Sequence, residues 1–265
     1  MKKTVNYIFT FLLVFQSFSV TFASEPFRFA LFTDLHISTS NPIPSEDLRN
    51  AVSDVNALKG IDFILIDGDI SNLGDTASLK EAKRLLQNLK MPYYIVPGNH
   101  DFRWKVGDGS SDFKRIFGDD KFIFTHNDFV FAGFPTVPLK KNGNADIPEC
   151  DIKWMKKQLK KAGKEAPVFV VTHYPLLDGD VDDWKKMTKV LKKFNVKAVL
   201  NGHYHRNVCL NYDGIPGIVN RSTLRAKNPV GGYSIYTVSD SIHVFEKKIG
   251  QAEDNWLSLP MNVAK

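Results

Sequence analysis

Ile61-Asp62-Phe63-Ile64-Leu65-Ile66-Asp67-Gly68-Asp69 and Tyr93-Tyr94-Ile95-Val96-Pro97-Gly98-Asn99-His100-Asp101 share one plan: a short apolar run, then glycine among polar side chains. Short apolar runs bounded by turn residues read as buried strands. Loops at strand ends carry functional groups on a rigid scaffold, and core packing gives no reason to set Asn99, His100 and Asp101 side by side. Glycine, Asn and Asp also build ordinary turns, so the weight of each stretch depends on what stands at the other strand ends.

Between the two stretches, Leu79, Ala82, Leu85, Leu86 and Leu89 share one helical face, and Ser78 with Glu81 has capping-box spacing. Upstream, residues 27–33 read as another buried strand, ending in Asp34-Leu35-His36. Pro42 and Pro44 mark a loop. Ser45 is the expected N-cap of a helix carrying Leu48, Val52, Val55 and Leu58, closed by Gly60. Strand, helix, strand, helix, strand predicts a parallel sheet with right-handed crossovers. In such sheets the binding crevice lies beyond the carboxyl ends of the strands, where these polar clusters fall.

The middle is less regular, with polar loops at 107–111 and 140–144 and a strand-like run at 129–134. A helix over 151–162 leads to a strand over 167–172 ending at His173, and a helix over 184–194 leads to Ala198-Val199-Leu200 and Gly202-His203-Tyr204-His205. Val208 to Tyr212, the turn Asp213-Gly214, Gly231 to Val238 and the turn Asp240-Ser241 predict an antiparallel tail with no polar strand-end cluster. Residues 24–265 read as a single domain.

The first 23 residues stand apart. Lys2 and Lys3 precede an apolar run from Tyr7 to Val14 that continues less cleanly to Phe22, and Ala23 is followed by Ser24-Glu25-Pro26. This pattern predicts a signal peptide cleaved after Ala23 and a secreted or periplasmic protein, the alternative being a retained anchor. The uninterrupted run is short for a membrane span. No cysteine marks a lipoprotein site, and no later segment is apolar enough for membrane insertion. Removing Lys2 and Lys3 leaves 33 basic against 29 acidic residues, so the net charge falls from +6 to +4. The excess lies mainly on the polar faces of the 151–162 and 184–194 helices. No basic cluster is interleaved with aromatics, so no nucleic-acid partner is expected, and the mild excess suits a small phosphorylated substrate. Cys150 and Cys209 are the only cysteines, and sequence does not show whether they pair.

Five of the seven histidines, His36, His100, His173, His203 and His205, stand at strand ends with Asp34, Asp69 and Asn99. Side chains two apart on an extended chain point to one side, so Asp34/His36 and His203/His205 can each offer two ligands to one centre. Carboxylate, amide and imidazole donors suit Mn, Fe, Zn or Co. They are more than one ion needs, and predict a pair about 3.5–4 Å apart. Taken singly, Asp34 and Asp69 also read as turn carboxylates, Asn99 as an Asx-turn and His173 as a core histidine. Asp67 competes with Asp69 as the shared carboxylate.

In order and spacing, D-x-H, G-D, G-N-H-D, H and G-H-x-H, spread from Phe27 to Arg206, resemble the calcineurin-like metallophosphoesterases. That resemblance implies an α/β fold of two packed mixed sheets flanked by helices, a four-layer α-β-β-α sandwich. It implies Asp34, His36 and His205 on one metal, Asn99, His173 and His203 on the other, Asp69 bridging, and His100 protonating the leaving group. Asp101 either orients the His100 ring or closes the turn. Asn72, Phe102, Arg103, Trp104, Tyr174, Tyr204 and Arg206 adjoin these positions and are candidates for the substrate pocket.

The chemistry follows from charge. Two cations neutralise a phosphate ester and acidify a bridging water, giving a hydroxide that attacks phosphorus, and a histidine suits proton delivery to the leaving oxygen. Asn72 stands where purple acid phosphatases carry a tyrosine ligand, and residues 68–74 lack the arginine of protein Ser/Thr phosphatases. The remainder resembles secreted bacterial members close to the class III cyclic-nucleotide phosphodiesterases, with nucleotides among the expected substrates and both mono- and diesters open. The alternative is a non-catalytic metal-binding interaction module on the same fold.

Overall fold

The computed structural model describes residues 25–103, 109–138, 143–226 and 228–261. The expected signal peptide and Trp104 lie outside them. In chain order the elements are β1 (Phe27–Phe32), α1 (Ile43–Ala57), β2 (Phe63–Ile66), α2 (Thr76–Leu86), β3 (Tyr93–Ile95), α3 (Ser111–Phe117), β4 (Phe122–His126), β5 (Phe129–Gly133), β6 (Val137–Pro138) and β7 (Ala145–Asp146). They continue as α4 (Glu149–Ala162), β8 (Pro167–Val171), α5 (Trp184–Leu191), β9 (Asn195–Asn201), β10 (Val208–Tyr212), β11 (Ile215–Val219), β12 (Gly232–Val238), β13 (Ser241–Lys248) and β14 (Glu253–Pro260).

Two six-stranded sheets result, ordered β14-β13-β12-β1-β2-β3 and β10-β11-β9-β8-β5-β4. Both are mixed: β1, β2 and β3 pair in parallel, as do β5, β8, β9 and β11, with antiparallel neighbours outside them. Strand alternation builds the layers. In β1, Phe29 and Leu31 face the other sheet, packing with Phe131, Phe169 and Leu200. Ala30 and Phe32 face outward onto Leu48, Val52, Leu79 and Leu85 of α1 and α2. The second sheet repeats this, with Val168 and Val170 against Met155, Leu159 and Met187 of α4 and α5. Strands buried on both faces read as continuous apolar runs, which is why β1, β2 and β8 were plain in the sequence. The architecture is the expected four-layer α-β-β-α sandwich.

Several local expectations change. Helix α1 starts before Ser45, with Pro42 at the N-cap and no side-chain cap. Asp75, not Ser78, caps α2, its carboxylate accepting the Ser78 N–H at 2.9 Å. Helix α5 ends at Leu191, short of Phe194. Helix α3 and strand β4 were not foreseen. The tail is not wholly antiparallel, because β11 pairs in parallel with β9. Among the described residues no helix is long and apolar enough to cross a membrane. Cys150 and Cys209 are both free and exposed.

Candidate metal centre

The parallel strands of both sheets end at one rim. Loops after β1, β2 and β3 meet loops after β8 and β9 there, and the backbones are tied directly. Asp34 N–H donates to the Gly68 carbonyl at 3.0 Å, His36 N–H to that of Asp69 at 2.8 Å, and Gly202 N–H to that of His173 at 3.1 Å. Across the two sheets, His203 N–H donates to the Asp34 carboxylate at 3.1 Å.

The paired spacing works for a different reason than expected. Asp34, His36, His203 and His205 are not extended. Their φ angles are 52°, 45°, 68° and 54°, and Asp69 adopts 50°. Each is left-handed, a conformation that costs an L-residue about 1–2 kcal/mol. Strain of this kind concentrates at sites where geometry outranks stability. Glycines serve by leaving room. Gly98 has an extended backbone, φ −101° and ψ −176°, which any residue adopts. A Cβ there would lie 2.2 Å from the Asp69 nitrogen, and one on Gly202 would lie 2.0 Å from Thr33 Oγ1. Close approach, rather than a left-handed backbone, is what requires glycine at 98.

Three groups of side chains converge with ligand atoms within 4.8 Å of one another: Asp34, His36 and His205; His36, Asp69 and His100; Asp69, His173 and His203. Asp69 belongs to two of them. Its Oδ2 lies 3.2 Å from His173 Nε2 and 3.7 Å from His36 Nε2. Asp34 Oδ1 lies 3.0 Å from His205 Nε2, and the His36 and His205 Nε2 atoms are 3.2 Å apart. Asp34 Oδ1, Asn99 Oδ1 and His173 Nε2 are buried and have no hydrogen-bond partner among the described residues. Buried polar atoms are costly unless satisfied, so orphans on three converging loops fit cations between them. The donor set, carboxylate, amide and imidazole, fits divalent transition metals.

The local charges agree. Burial would raise the Asp34 carboxyl, but the His205 and His173 rings more than offset it, holding it below the usual range. Burial also opposes ionisation of Asp69, yet His173 holds it strongly down. Burial disfavours charge on His173, but the Asp69 carboxylate outweighs this and raises it to about 10. Burial and the neighbouring His173 lower His203 to about 4. The metal-free site is thus an acid–imidazolium cluster, in which an ion would take the place of a proton.

Surrounding groups fix the rings. His173 Nδ1 donates to the Asp67 carbonyl at 2.9 Å, which turns Nε2 toward Asp69. The Asp67 side chain belongs to none of the three groups. Burial pushes its carboxyl well above the usual carboxylate range, only partly opposed by His173. The two readings of Asp101 separate clearly. Its carboxylate accepts from the N–H groups of Gly98 (2.9 Å), Ile70 (3.0 Å) and Ser71 (2.8 Å) and from Ser71 Oγ (3.0 Å). It closes the turn and ties it to the β2 loop, while the His100 ring is held by the Asn72 carbonyl.

Of the other candidates, Tyr174 is buried, its ring 4.0 Å from that of His203, and supports that histidine from behind. Phe102 is buried as well. Tyr204 donates to the Asp180 carboxylate, with the exposed Arg206 guanidinium 5.5 Å above its ring. Arg103 pairs with Asp112 at 3.1 Å. His126 packs between Phe27 and Phe63, and His243 bonds Ser258 Oγ at 2.8 Å, both away from the site.

One cluster was missed. After β11, Asn220, Arg221, Ser222 and Thr223 are all buried. Ser222 Oγ donates to the Asp34 carbonyl at 3.0 Å, and Thr223 Oγ1 accepts the Thr33 N–H at 3.2 Å. Arg221 pairs with Glu246 at 2.8 Å and donates its N–H to Asn207, just beyond the His205 loop. The apolar run of β11 ending in four polar residues carries the same strand-end signal as β1 to β3, contrary to the expectation of a tail with no polar cluster.

A family model for calcineurin-like phosphoesterases matches residues 27–207. The chain is 27% identical over 177 residues to a probable glycerophosphodiester phosphodiesterase of Arcobacter nitrofigilis, covering 60% of this chain and 62% of that protein. It is 25% identical over 237 residues to a probable cyclic nucleotide phosphodiesterase of Coxiella burnetii, covering 83% of this chain and 89% of that one. Among solved structures, a dimetal phosphatase from Danio rerio shares the fold with a TM-score of 0.69 at 15% identity, covering 89% of this chain and 99% of that one. The match to the first of these relatives spans less than two-thirds of its length.

Proposed function

The chain belongs to the calcineurin-like phosphoesterase family, and on that premise we propose that it is an exported, dinuclear metal-dependent hydrolase of small phosphodiesters. The observation that carries this is the membership of Asp69 in two metal-capable groups, one completed by His36 and His100 from its own sheet and the other by His173 and His203 from the opposite sheet. In this reading Asp34, His36 and His205 would hold one ion and Asn99, His173 and His203 the other, with Asp69 able to serve both. Mn, Fe, Zn and Co all suit the donors. When bound, such ions would supply neutralisation of phosphoryl charge and a more acidic water as the source of the nucleophile.

The protein's own groups do the rest. The Asp67 carbonyl keeps the His173 ring turned inward. The His203 N–H anchors the Asp34 carboxylate. His100 stands within 4.8 Å of the His36 and Asp69 ligand atoms, where it delivers a proton to the leaving oxygen. The preference for diesters is supported by the phosphodiesterase names of the two relatives above. Export is supported by the charged and apolar pattern of residues 1–23.

Turnover of bis(p-nitrophenyl) phosphate and p-nitrophenyl phosphate with added Mn tests the activity. Faster cleavage of the diester is expected; the reverse ratio makes the protein a phosphomonoesterase. Amino-terminal sequencing of the protein recovered from the cell exterior or periplasm should begin at Ser24, and a cell-retained chain still bearing residues 1–23 would end the export proposal.

A further inference from the structure

Resting on the phosphohydrolase reading above, we propose that the groove between α1 and α2 is the subsite for the substrate's leaving group and selects one that carries its own negative charge. The groove has a volume of about 760 Å³ and begins at the rim of the site, with Ser38 and Thr39 just beyond His36 and Ala77 in the first turn of α2.

Its position places it on the leaving-group side. The His100 ring packs edge-on against His36 at 4.7 Å and bonds the Asn72 carbonyl. The segments carrying those two residues are joined, Asn72 N–H donating to the Ile37 carbonyl at 2.9 Å. A group departing toward His100 therefore emerges over these two segments and passes between the helices that follow them. At the entrance the groove is lined by Ser38, Thr39 and the apolar Ala77.

The charges in the groove are unbalanced. Its two acids are already engaged, Glu46 with Arg225 at 3.1 Å and Glu81 with Arg84 at 2.7 Å. Arg49 and Lys80 also line it; among the described residues neither makes an ion pair or hydrogen bond, and Arg49 acts on Glu81, already bound to Arg84, only through its field. Lys80 lies about one helical turn from the rim and Arg49 about two, roughly 5 and 10 Å at 1.5 Å per residue. Two unpaired cations beyond a polar, partly apolar entrance fit an elongated leaving group ending in phosphate or carboxylate. A cyclic diester, whose leaving oxygen stays tethered, would leave the groove unused.

Two probes differing by one terminal phosphate test this: the dinucleotides pApA and ApA, as competitive inhibitors of bis(p-nitrophenyl) phosphate turnover. The wild-type protein should bind pApA about tenfold tighter, as two exposed charge pairs allow. The Arg49→Ala/Lys80→Ala variant should lose that preference, and Lys157→Ala on α4 should keep it. Equal inhibition by the two probes in the wild type, or a preference surviving in the double variant, overturns the subsite and makes the groove ordinary solvated surface. If bis(p-nitrophenyl) phosphate is not cleaved, the hydrolase reading fails separately. Calorimetric titration of both dinucleotides onto the Mn-loaded protein then reads the groove by itself, with the same two outcomes.

Discussion

His100 Nδ1 lies 2.8 Å from the main-chain carbonyl oxygen of Asn72. A carbonyl only accepts, so Nδ1 carries the hydrogen and Nε2 is the ring atom left for the proton exchange proposed above. The carbonyl is itself fixed. Ser71, one residue before, is bonded through N–H and Oγ to the buried Asp101 carboxylate, and its Oγ accepts the Gly74 N–H at 2.9 Å. Asp101 thus acts on His100 through the backbone of another loop.

His100→Ala should keep both metals and lose about 10²–10⁴ in turnover of alkyl phosphodiesters. The loss should be much smaller for p-nitrophenyl esters, whose leaving group needs little protonation. Equal losses for both leaving groups would remove His100 as the acid.

Gly98→Ala should destabilise the protein by about 1–3 kcal/mol or more, as overpacking does, and weaken metal binding. Its Cβ would press on the Asp69 nitrogen and, at 2.3 Å, on Oδ1. Urea denaturation with metal analysis checks both. A variant of wild-type stability and metal content would show that the β2 and β3 loops separate freely.

His205→Gly and His205→Ala should both lose metal affinity, yet the glycine variant should be the more stable of the two by about 1 kcal/mol, because φ at 205 is 54°. At an ordinary position alanine is preferred. Thermal unfolding of the two metal-free variants decides the order, and a more stable alanine variant would place residue 205 outside the left-handed region.

Metal binding at pH 7 should release about one proton or more per protein molecule. Beside Asp69, His173 is raised to about 10 and holds a proton until a cation replaces it. The sign follows: affinity rises with pH while His173 remains protonated in the metal-free protein, and falls as acid returns protons to the imidazoles. Calorimetry in two buffers of different ionisation enthalpy measures the release. Identical heats in both would mean that His173 binds without deprotonating.

The fold was legible where strands are buried on both faces, since β2 and β8 are apolar throughout and β1 is broken only by Arg28 near its start. Strand β4 was not, because Phe122–His126 lies at a sheet edge with alternate residues exposed. Helix α3 follows a glycine-rich loop and is too short to show a period. All eight candidate metal and acid residues fall at one rim, because each follows a parallel strand and parallel strands end together. Local backbone was not legible. The left-handed φ of five candidate ligands, the space required at Gly98 and the Ser222 bond to the Asp34 carbonyl are products of tertiary contact, and no period or spacing encodes them.

The two-ion hydrolase is tested most directly by titrating metal-free protein with Mn while following bis(p-nitrophenyl) phosphate cleavage. Turnover should be absent without metal, climb steeply and reach its plateau at about two equivalents, matching two ions shared across Asp69. A protein that takes up two equivalents and cleaves nothing, or one fully active with a single equivalent, would contradict it.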